Sequence, residues 1–288
     1  MSTNKKMKMV SSSINKERVK RIIFEFVMLC VAAYMLIPLL WIFSTSLRDP
    51  KDSFKLPPSF FPTSFKISNY KKVFIDVPFL HFLINSFTVS ASLTILQLII
   101  CSLASFAFAR LDFRGKNIIF MFILSGLMIP AQSTIIPVFL LIRYLRLTDT
   151  LWALVLPGLT NPLGIFLMRQ FMLTIPRSYD EAAYIDGASK FGVYLRVILP
   201  MSKPSVIVVA LITFISSWND FFRPLIFLNT YEKMTLPLGL TVLQGYMGAG
   251  NLSVILAGVT LSLIPTLILY LLTHDYIMKG MILSGLKA

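Results

Sequence analysis

Charge is scarce in this chain: 14% of its 288 residues are charged, and 13 acidic residues stand against 27 basic ones. With 56% hydrophobic residues and a mean hydropathy of +0.76, it is too apolar for one soluble core to absorb, which excludes an ordinary soluble domain. Histidine and cysteine are nearly absent, two of each. Cys30 and Cys101 lie inside apolar runs without paired spacing, which excludes a disulfide scaffold and makes both small core residues. His81 stands alone at the end of an apolar run and reads as a surface polar group. No metal-ligand cluster and no nucleophile with a positioned base appears, so no enzyme centre is legible and no metal site is expected. A Gly-x-x-x-x-Gly-Lys-Ser/Thr phosphate loop is missing too, so no nucleotide-binding site of that kind is legible. The net charge of +14 raises nucleic acid as a partner. The basic residues are scattered between apolar runs rather than interleaved with aromatics on one surface, which rejects it.

What the chain does have is apolar sequence in long runs. A membrane-crossing helix needs about 20 mostly apolar residues, and such runs lie at 22–47, 80–109, 117–142, 150–173, 205–228 and 252–278. The expected fold is all-α: a polytopic membrane protein with six transmembrane helices, a basic tail over 1–21 and one transmembrane domain over 22–288. The first run is longer than a signal-peptide core and lacks a small-residue cleavage pattern, so it is expected to remain as an anchor. Lysine and arginine set the direction. The tail (Lys5, Lys6, Lys8, Lys16, Arg18, Lys20, Arg21), the turn after the second run (Arg110, Arg114, Lys116), the central polar stretch (Arg169, Arg177, Lys190, Arg196, Lys203) and the C-terminus (Lys279, Lys287) hold most of the 27 basic residues. By the positive-inside bias the expected location is the cytoplasmic (inner) membrane, multi-pass, with both termini and the loop over 174–204 in the cytoplasm.

Single residues sharpen this outline. Glu25, one turn into the first run, reaches back to the headgroups or faces protein, and Pro38 is a tolerated kink. The stretch 48–79, punctuated by Pro50, Pro57, Pro58, Pro62 and Pro78, reads as a surface connection. The second run is rich in small residues, among them Ser86, Ser90, Ser102, Ser105 and Ala109, which let helices approach closely in lipid. Pro130 and Pro137 interrupt the third run around Gln132. Asp149 is placed to cap the fourth, which Pro157-Gly158 and Asn161-Pro162 then break. Polar backbone at membrane depth is tolerated inside protein or against water, so Gln132 and Asn161 are candidate substrate-path residues, with ordinary packing as the alternative. Trp218, Asn219 and Asp220 in the fifth run are the others, placed to stack on or hydrogen-bond a polar solute, and a pairing of Asp220 with Arg223 is the competing reading. The run Gln244-Gly-Tyr-Met-Gly-Ala-Gly-Asn251 is a glycine-rich finger or a plain reverse turn. As a finger it offers Gln244, Gly245, Tyr246, Gly248 and Asn251 to a partner.

The polar island within 174–204 is the chain's expected working end. Ser178 can cap a short helix, Asp180 and Glu181 suit its positive end, and Ala182 and Ala183 keep its surface low. Gly187 lets the chain turn. Phe191, Tyr194, Leu195 and Ile198 follow at helical spacing, closed by Pro200 and Pro204. A helix-turn-helix ledge results.

The motif Glu181-Ala-Ala-Tyr-Ile-Asp-Gly-Ala-Ser189, followed by Leu199-Pro200 and Lys203-Pro204, resembles the EAA loop of permease subunits in ATP-binding-cassette importers. The run Phe214-Ile-Ser-Ser-Trp-Asn-Asp-Phe-Phe-Arg-Pro-Leu-Ile226 and the tail over 280–288 look like the carbohydrate-importer branch, specifically the maltose-type partner permease. The resemblance implies a type I importer permease fold with no catalytic activity and no cofactor of its own. It also implies ATP and Mg bound by two ATP-binding-cassette subunits, a homologous second permease and an extracytoplasmic solute-binding protein. In such a permease Glu181, Ala182, Ala183, Asp186, Gly187, Ala188 and Pro200 belong to the element that docks on the ATPase, with Glu181 meeting a basic residue there. The finger over 244–251 takes the place where relatives probe the binding protein, and the tail over 283–288 that of a second ATPase contact, here ending in Lys-Ala. The expected function is ATP-driven import of a sugar or oligosaccharide by alternating access. A secondary transporter or channel run by an ion gradient is the alternative from another class, and it needs buried acid or histidine relays.

Overall fold

The computed structural model describes residues 2–49, 65–245 and 250–285, with side chains over 18–49, 65–245 and 250–274. The chain divides into two units, Met1–Lys71 with Asn251–Thr260, and Lys72–Gly250 with Leu261–Ala288. Regular structure among the described residues is helical throughout.

In the first unit α1 (Ser2–Ser46) runs unbroken through Pro38. Residues 18–40 are exposed on every face, Cys30 included, so that cysteine is not the core residue expected. A helix apolar all round with no protein against it is suited to lipid, and its Glu25 pairs with Arg21 one turn back at 2.9 Å. The exit from α1 is pinned: Asn69 donates its Nδ2 to Ser46 O at 2.9 Å and Arg48 O at 2.8 Å, and Ser46 Oγ meets Tyr70 OH at 2.7 Å. Asn69 and Tyr70 stand at the start of α2 (Ser68–Asp76), a short helix inside the surface connection over 48–79. Pro50, Pro57, Pro58 and Pro62 lie outside the described residues.

The second unit is organised on α3 (Phe79–Arg110), 32 residues without an internal proline. It starts after Pro78 and ends where Leu111 turns extended and Gly115, at φ +81°, reverses the chain into α4 (Lys116–Ser125). Packing in lipid depends on close fit rather than on hydrophobic gain, and α3 presents the small residues that permit it. Ser86 Oγ accepts from Leu236 N at 2.7 Å, Ser102 Oγ meets Tyr194 OH at 2.8 Å, and Ser105 Oγ donates to Ile165 O at 2.8 Å. Gly239 lies flush on the Phe82 ring, where any Cβ would collide.

Prolines break some of the remaining runs but not all: Pro137 lies inside the continuous helix Ile135–Tyr144 rather than interrupting it, and Pro265 lies inside the unbroken last helix. Three helical stretches are long and apolar enough to cross a membrane, Arg18–Ser46, Phe79–Arg110 and Leu252–His274. Two bent pairs raise the count to five among the described residues, short of the six expected. The third run bends by 94° between Lys116–Met128 and Ala131–Tyr144, at an extended Pro130. Its second arm contains α5 (Ile135–Tyr144). The fourth becomes a one-turn α6 (Trp152–Val155), a tight turn at 156–159 and then α7 (Pro162–Thr174). Neither piece spans alone. Pro162 starts α7 because its missing N–H is one that a helix start leaves unpaired anyway.

Candidate functional site

Beyond α7 the buried Ile175 turns extended, and α8 (Ser178–Ile185) begins. Ser178 does not cap it. Pro176 and Arg177 already offer their carbonyls to Tyr179 N and Asp180 N, so Ser178 enters as the first helical residue. Asp180 and Glu181 stand in the first turn, as the dipole favours. Gly187 makes the turn at φ +80°, and α9 (Lys190–Val193) follows with Ser189 Oγ accepting from Gly192 N at 3.1 Å. Pro200 does not close this second arm. A wider helical turn over 194–198 carries the chain through α10 (Leu199–Met201) and relieves the clash a proline causes in a regular turn. The break falls at Ser202, and Pro204 opens α11 (Lys203–Trp218) rather than ending its predecessor. The stretches Lys190–Met201 and Lys203–Trp218 meet there at 76°.

The ledge has two faces. Ala183 and Ala188 bed against Phe106, Ala109, Met172, Val193, Tyr194 and Ile198. On the other face Ile185 is 87% exposed, with Tyr179, Tyr184, Phe191 and Leu195 also open. Glu181, Ala182, Asp186 and Gly187 are exposed as well, and Pro200 is exposed further along. Large apolar side chains and exposed carboxylates therefore share the outer surface of this polar stretch.

Beneath the ledge lies a pair that sequence reasoning did not find. Arg110, the last residue of α3, sends Nε to within 3.4 Å of Asp180 Oδ2 and donates Nη2 to Ile175 O at 2.8 Å. The two side chains are 4% and 12% exposed. Burial pushes the Asp180 carboxyl above its ordinary value, with Glu181 adding to the rise and Arg110 and Arg177 pulling against it. In the sequence Asp180 suits the helix dipole and Arg110 marks topology, and nothing local joins them.

At the other end of α3, Asn85 Nδ2 donates to Glu232 O at 2.7 Å and Met234 O at 3.0 Å. There Asp149 does something other than cap the fourth run. At φ +58° it turns its carboxylate away from α6 to accept from Asn229 N and Thr230 N, each at 2.9 Å, from Thr230 Oγ1, and from Lys233 Nζ at 3.0 Å. Burial acts to raise this carboxyl, but the hydrogen bonds from Thr230, Asn229 and Lys233 outweigh it and hold it well below the usual carboxylate range.

Between these ends, polar groups meet inside the helices. Asn161 Nδ2 donates to Gln97 Oε1 at 2.7 Å and to Thr213 Oγ1 at 3.4 Å, while its Oδ1 caps α7 by accepting from Gly164 N at 2.8 Å. Thr213 Oγ1 donates to the same Gln97 oxygen at 2.8 Å, and Gln97 Nε2 donates to Gly158 O. The network joins α3, α7 and α11, and besides Asn161 the amide of Gln97 inside an apolar run was the signal available in the sequence. A recess of about 10 Å³, no more than a water's room, lies beside it, lined by Asn161, Leu163, Gly164, Leu167, Val209 and Ile212. Asp220 pairs with Arg223, whose Nη1 also donates to Leu154 O at 3.2 Å, so the competing reading of Asp220 holds.

The other substrate-path candidates are not gathered there. Trp218 is 2% exposed, stacked on Phe214, with Nε1 donating to Ser262 O at 3.2 Å, so it faces neighbouring helix rather than a cavity. Asn219 and Gln132 are exposed, and Asn219 Nδ2 bonds back to Ile215 O at 2.9 Å. Of the finger, Gln244 and Gly245 are exposed and Asn251 accepts from Ser253 N at 3.0 Å. Tyr246 and Gly248 lie outside the described residues. The tail over 286–288 does too. Among the described residues no group of three or more His, Cys, Asp or Glu is gathered to hold a metal.

Residues 97–282 match the family model described as binding-protein-dependent transport system inner membrane component. The chain is 32% identical over 229 residues to the arabinooligosaccharides transport system permease protein AraQ of Halalkalibacterium halodurans, covering 79% of this chain and 82% of that protein. It is 31% identical over 279 residues to the trehalose/maltose transport system permease protein MalG of Thermococcus litoralis, covering 95% and 99%. Its fold is similar to a chain from the crystal structure of a bacterial ABC transporter involved in the import of the acidic polysaccharide alginate. The TM-score is 0.80 at 25% identity, over 91% of this chain and 98% of that one.

Proposed function

The chain belongs to the family of binding-protein-dependent transport system inner membrane components, and from that premise we propose that it imports a sugar or oligosaccharide, driven by separate ATPase subunits that seat on the ledge over 174–204. It is a multi-pass membrane protein and a non-catalytic transport component. Saccharide as the solute class is supported by the relatives, whose names speak of arabino-oligosaccharides, trehalose and maltose, and of alginate.

The observation that carries the coupling reading is the two-faced ledge. Its inner face is packed and held through Arg110, while its outer face leaves Ile185 and two tyrosines open. Glu181 stands beside them to meet a basic residue in a charge-assisted pair. In this reading ATP and Mg stay with two partner subunits. Their closure draws the ledge inward, rocks the helices against a second, homologous permease and alternates access to a path between the two. The ledge and both termini face the cytoplasm, and an extracytoplasmic binding protein delivers solute near 244–251. The ion-gradient alternative fares worse: Glu25 and Asp220, the acids it needs, are each paired to an arginine.

Replacing Glu181→Lys or Gly187→Leu tests this. A Cβ at Gly187 meets nothing within 4 Å in the chain itself, so the leucine acts through the strained turn and the outer surface. Both variants insert normally, and uptake of labelled maltose, trehalose or arabino-oligosaccharide falls by about tenfold or more while ATP hydrolysis by the assembled complex continues. Normal uptake in both rejects the assignment.

A further inference from the structure

Arg110 is a fork between three elements. It terminates α3, one prong holds the carbonyl of Ile175 in the link after α7, and the other faces Asp180 in α8. The rest of the ledge's bed is apolar, built on Ala183 and Ala188 against Phe106, Met172, Val193 and Ile198. Such contacts resist separation but let surfaces slide, because dispersion has no direction. A shielded ion pair is directional, and removing one partner leaves a buried charge alone. The pair is also set loosely: Asp180 Oδ1 is buried with no hydrogen-bond partner, and Nε approaches Oδ2 without forming a hydrogen bond. Asp180 therefore has a second oxygen with which Arg110 can re-engage when α8 is displaced. From Arg110 a displacement along α3 reaches the membrane-buried contacts to Ile165, Asn161 and Thr213 through Ser105 and Gln97.

We propose that Arg110 is a positioning residue for transport: through Asp180 it transmits movement of α8 to α3, and through α3 to the membrane-embedded helices. This rests on the reading that α8 meets the ATPase.

The test uses the whole transporter in proteoliposomes, with its partner permease, ATPase subunits and binding protein. The variants are Arg110→Gln, Arg110→Lys, Asp180→Asn and the exchange Arg110→Asp with Asp180→Arg. The saccharide taken up best by the unaltered complex from labelled maltose, trehalose and arabino-oligosaccharide serves as probe. Three quantities are read: co-purification of the ATPase, thermal stability, and solute moved per ATP hydrolysed. The ATPase co-purifies with every variant, while solute per ATP falls about fivefold or more in Arg110→Gln and Asp180→Asn. Arg110→Lys, which keeps the charge but loses the fork, falls less, and the exchange recovers part of the loss. Unchanged solute per ATP in assembled Arg110→Gln and Asp180→Asn overturns the proposal. So does loss of the folded chain in the near-isosteric Asp180→Asn, which makes the pair a strut. Failure of the ATPase to co-purify with the unaltered chain sinks the coupling reading instead.

Discussion

Asp149 and Asp180 are both shielded aspartates at turns, at the two ends of the same long helix, and they are built oppositely. Asp149 collects two backbone amides, a hydroxyl and an ammonium, and holds loops that are 80 residues apart in the chain. Asp180 faces one guanidinium at 3.4 Å and leaves an oxygen bare. Hydrogen bonds to a carboxylate stabilise its charged form, so the first end is a clamp. At the second end desolvation outweighs attraction, so the charge is tolerated rather than favoured. Many donors tie the first end, and one directional, slack contact ties the second, which is the end that moves in the proposed coupling.

Breaking the clamp has the largest effect on stability. Asp149→Ala leaves Asn229 N, Thr230 N and Thr230 Oγ1 without their acceptor and puts alanine at φ +58°, so a loss of about 2 to 3 kcal/mol is expected in thermal unfolding of the detergent-solubilised chain. A loss as small as an exposed substitution's would show that water replaces the carboxylate and that the clamp holds nothing. The matching change at the ledge, Asp180→Asn, keeps the shape, and although it takes away the counter-charge of Arg110, the guanidinium keeps Ile175 O and the relief of a poorly solvated carboxylate offsets the loss, so unfolding stability shifts by less than about 1 kcal/mol. A drop as large as that of Asp149→Ala would erase the distinction between the two ends.

The architecture was legible where the signal is local. The uninterrupted apolar run at 80–109 became Phe79–Arg110, since Pro78 and Gly115 mark its boundaries. The prolines at 130, 157 and 162 marked real breaks, though the run over 150–173 counted as a span is divided between α6 and α7. Gly187 turns as the motif requires. The contacts that give the site its mechanics were not legible, because each joins residues far apart in the chain: Arg110 with Asp180, Asp149 with Thr230, and Gln97 with Thr213. Local rules then assigned such residues to the nearest helix end, which is why Asp149 read as a cap of α6. Trp218 misled for a related reason: the residue type suits a solute, but its ring is spent on Phe214 and its N–H on Ser262.

The subtlest expected difference between the ends is in pH. The Asp180 carboxyl is raised above its ordinary value of 3.8, so the folded chain binds this proton more tightly than the unfolded one. Its charge costs stability above that window, and the cost is relieved as pH falls through the raised value. Asp149 has the opposite sign: its carboxyl is held low, its contribution is fully present above 3.8, and it fades only as pH falls below that value. Thermal unfolding of the unaltered chain, Asp180→Asn and Asp149→Ala between pH 7 and about pH 4 separates them. The small gap between the unaltered chain and Asp180→Asn closes on acidification, because protonation makes Asp180 resemble asparagine. The larger gap to Asp149→Ala persists across the same range. If instead the Asp149 gap collapses first, its carboxylate is not held by the donors around it, and the clamp and the pivot have been assigned to the wrong ends.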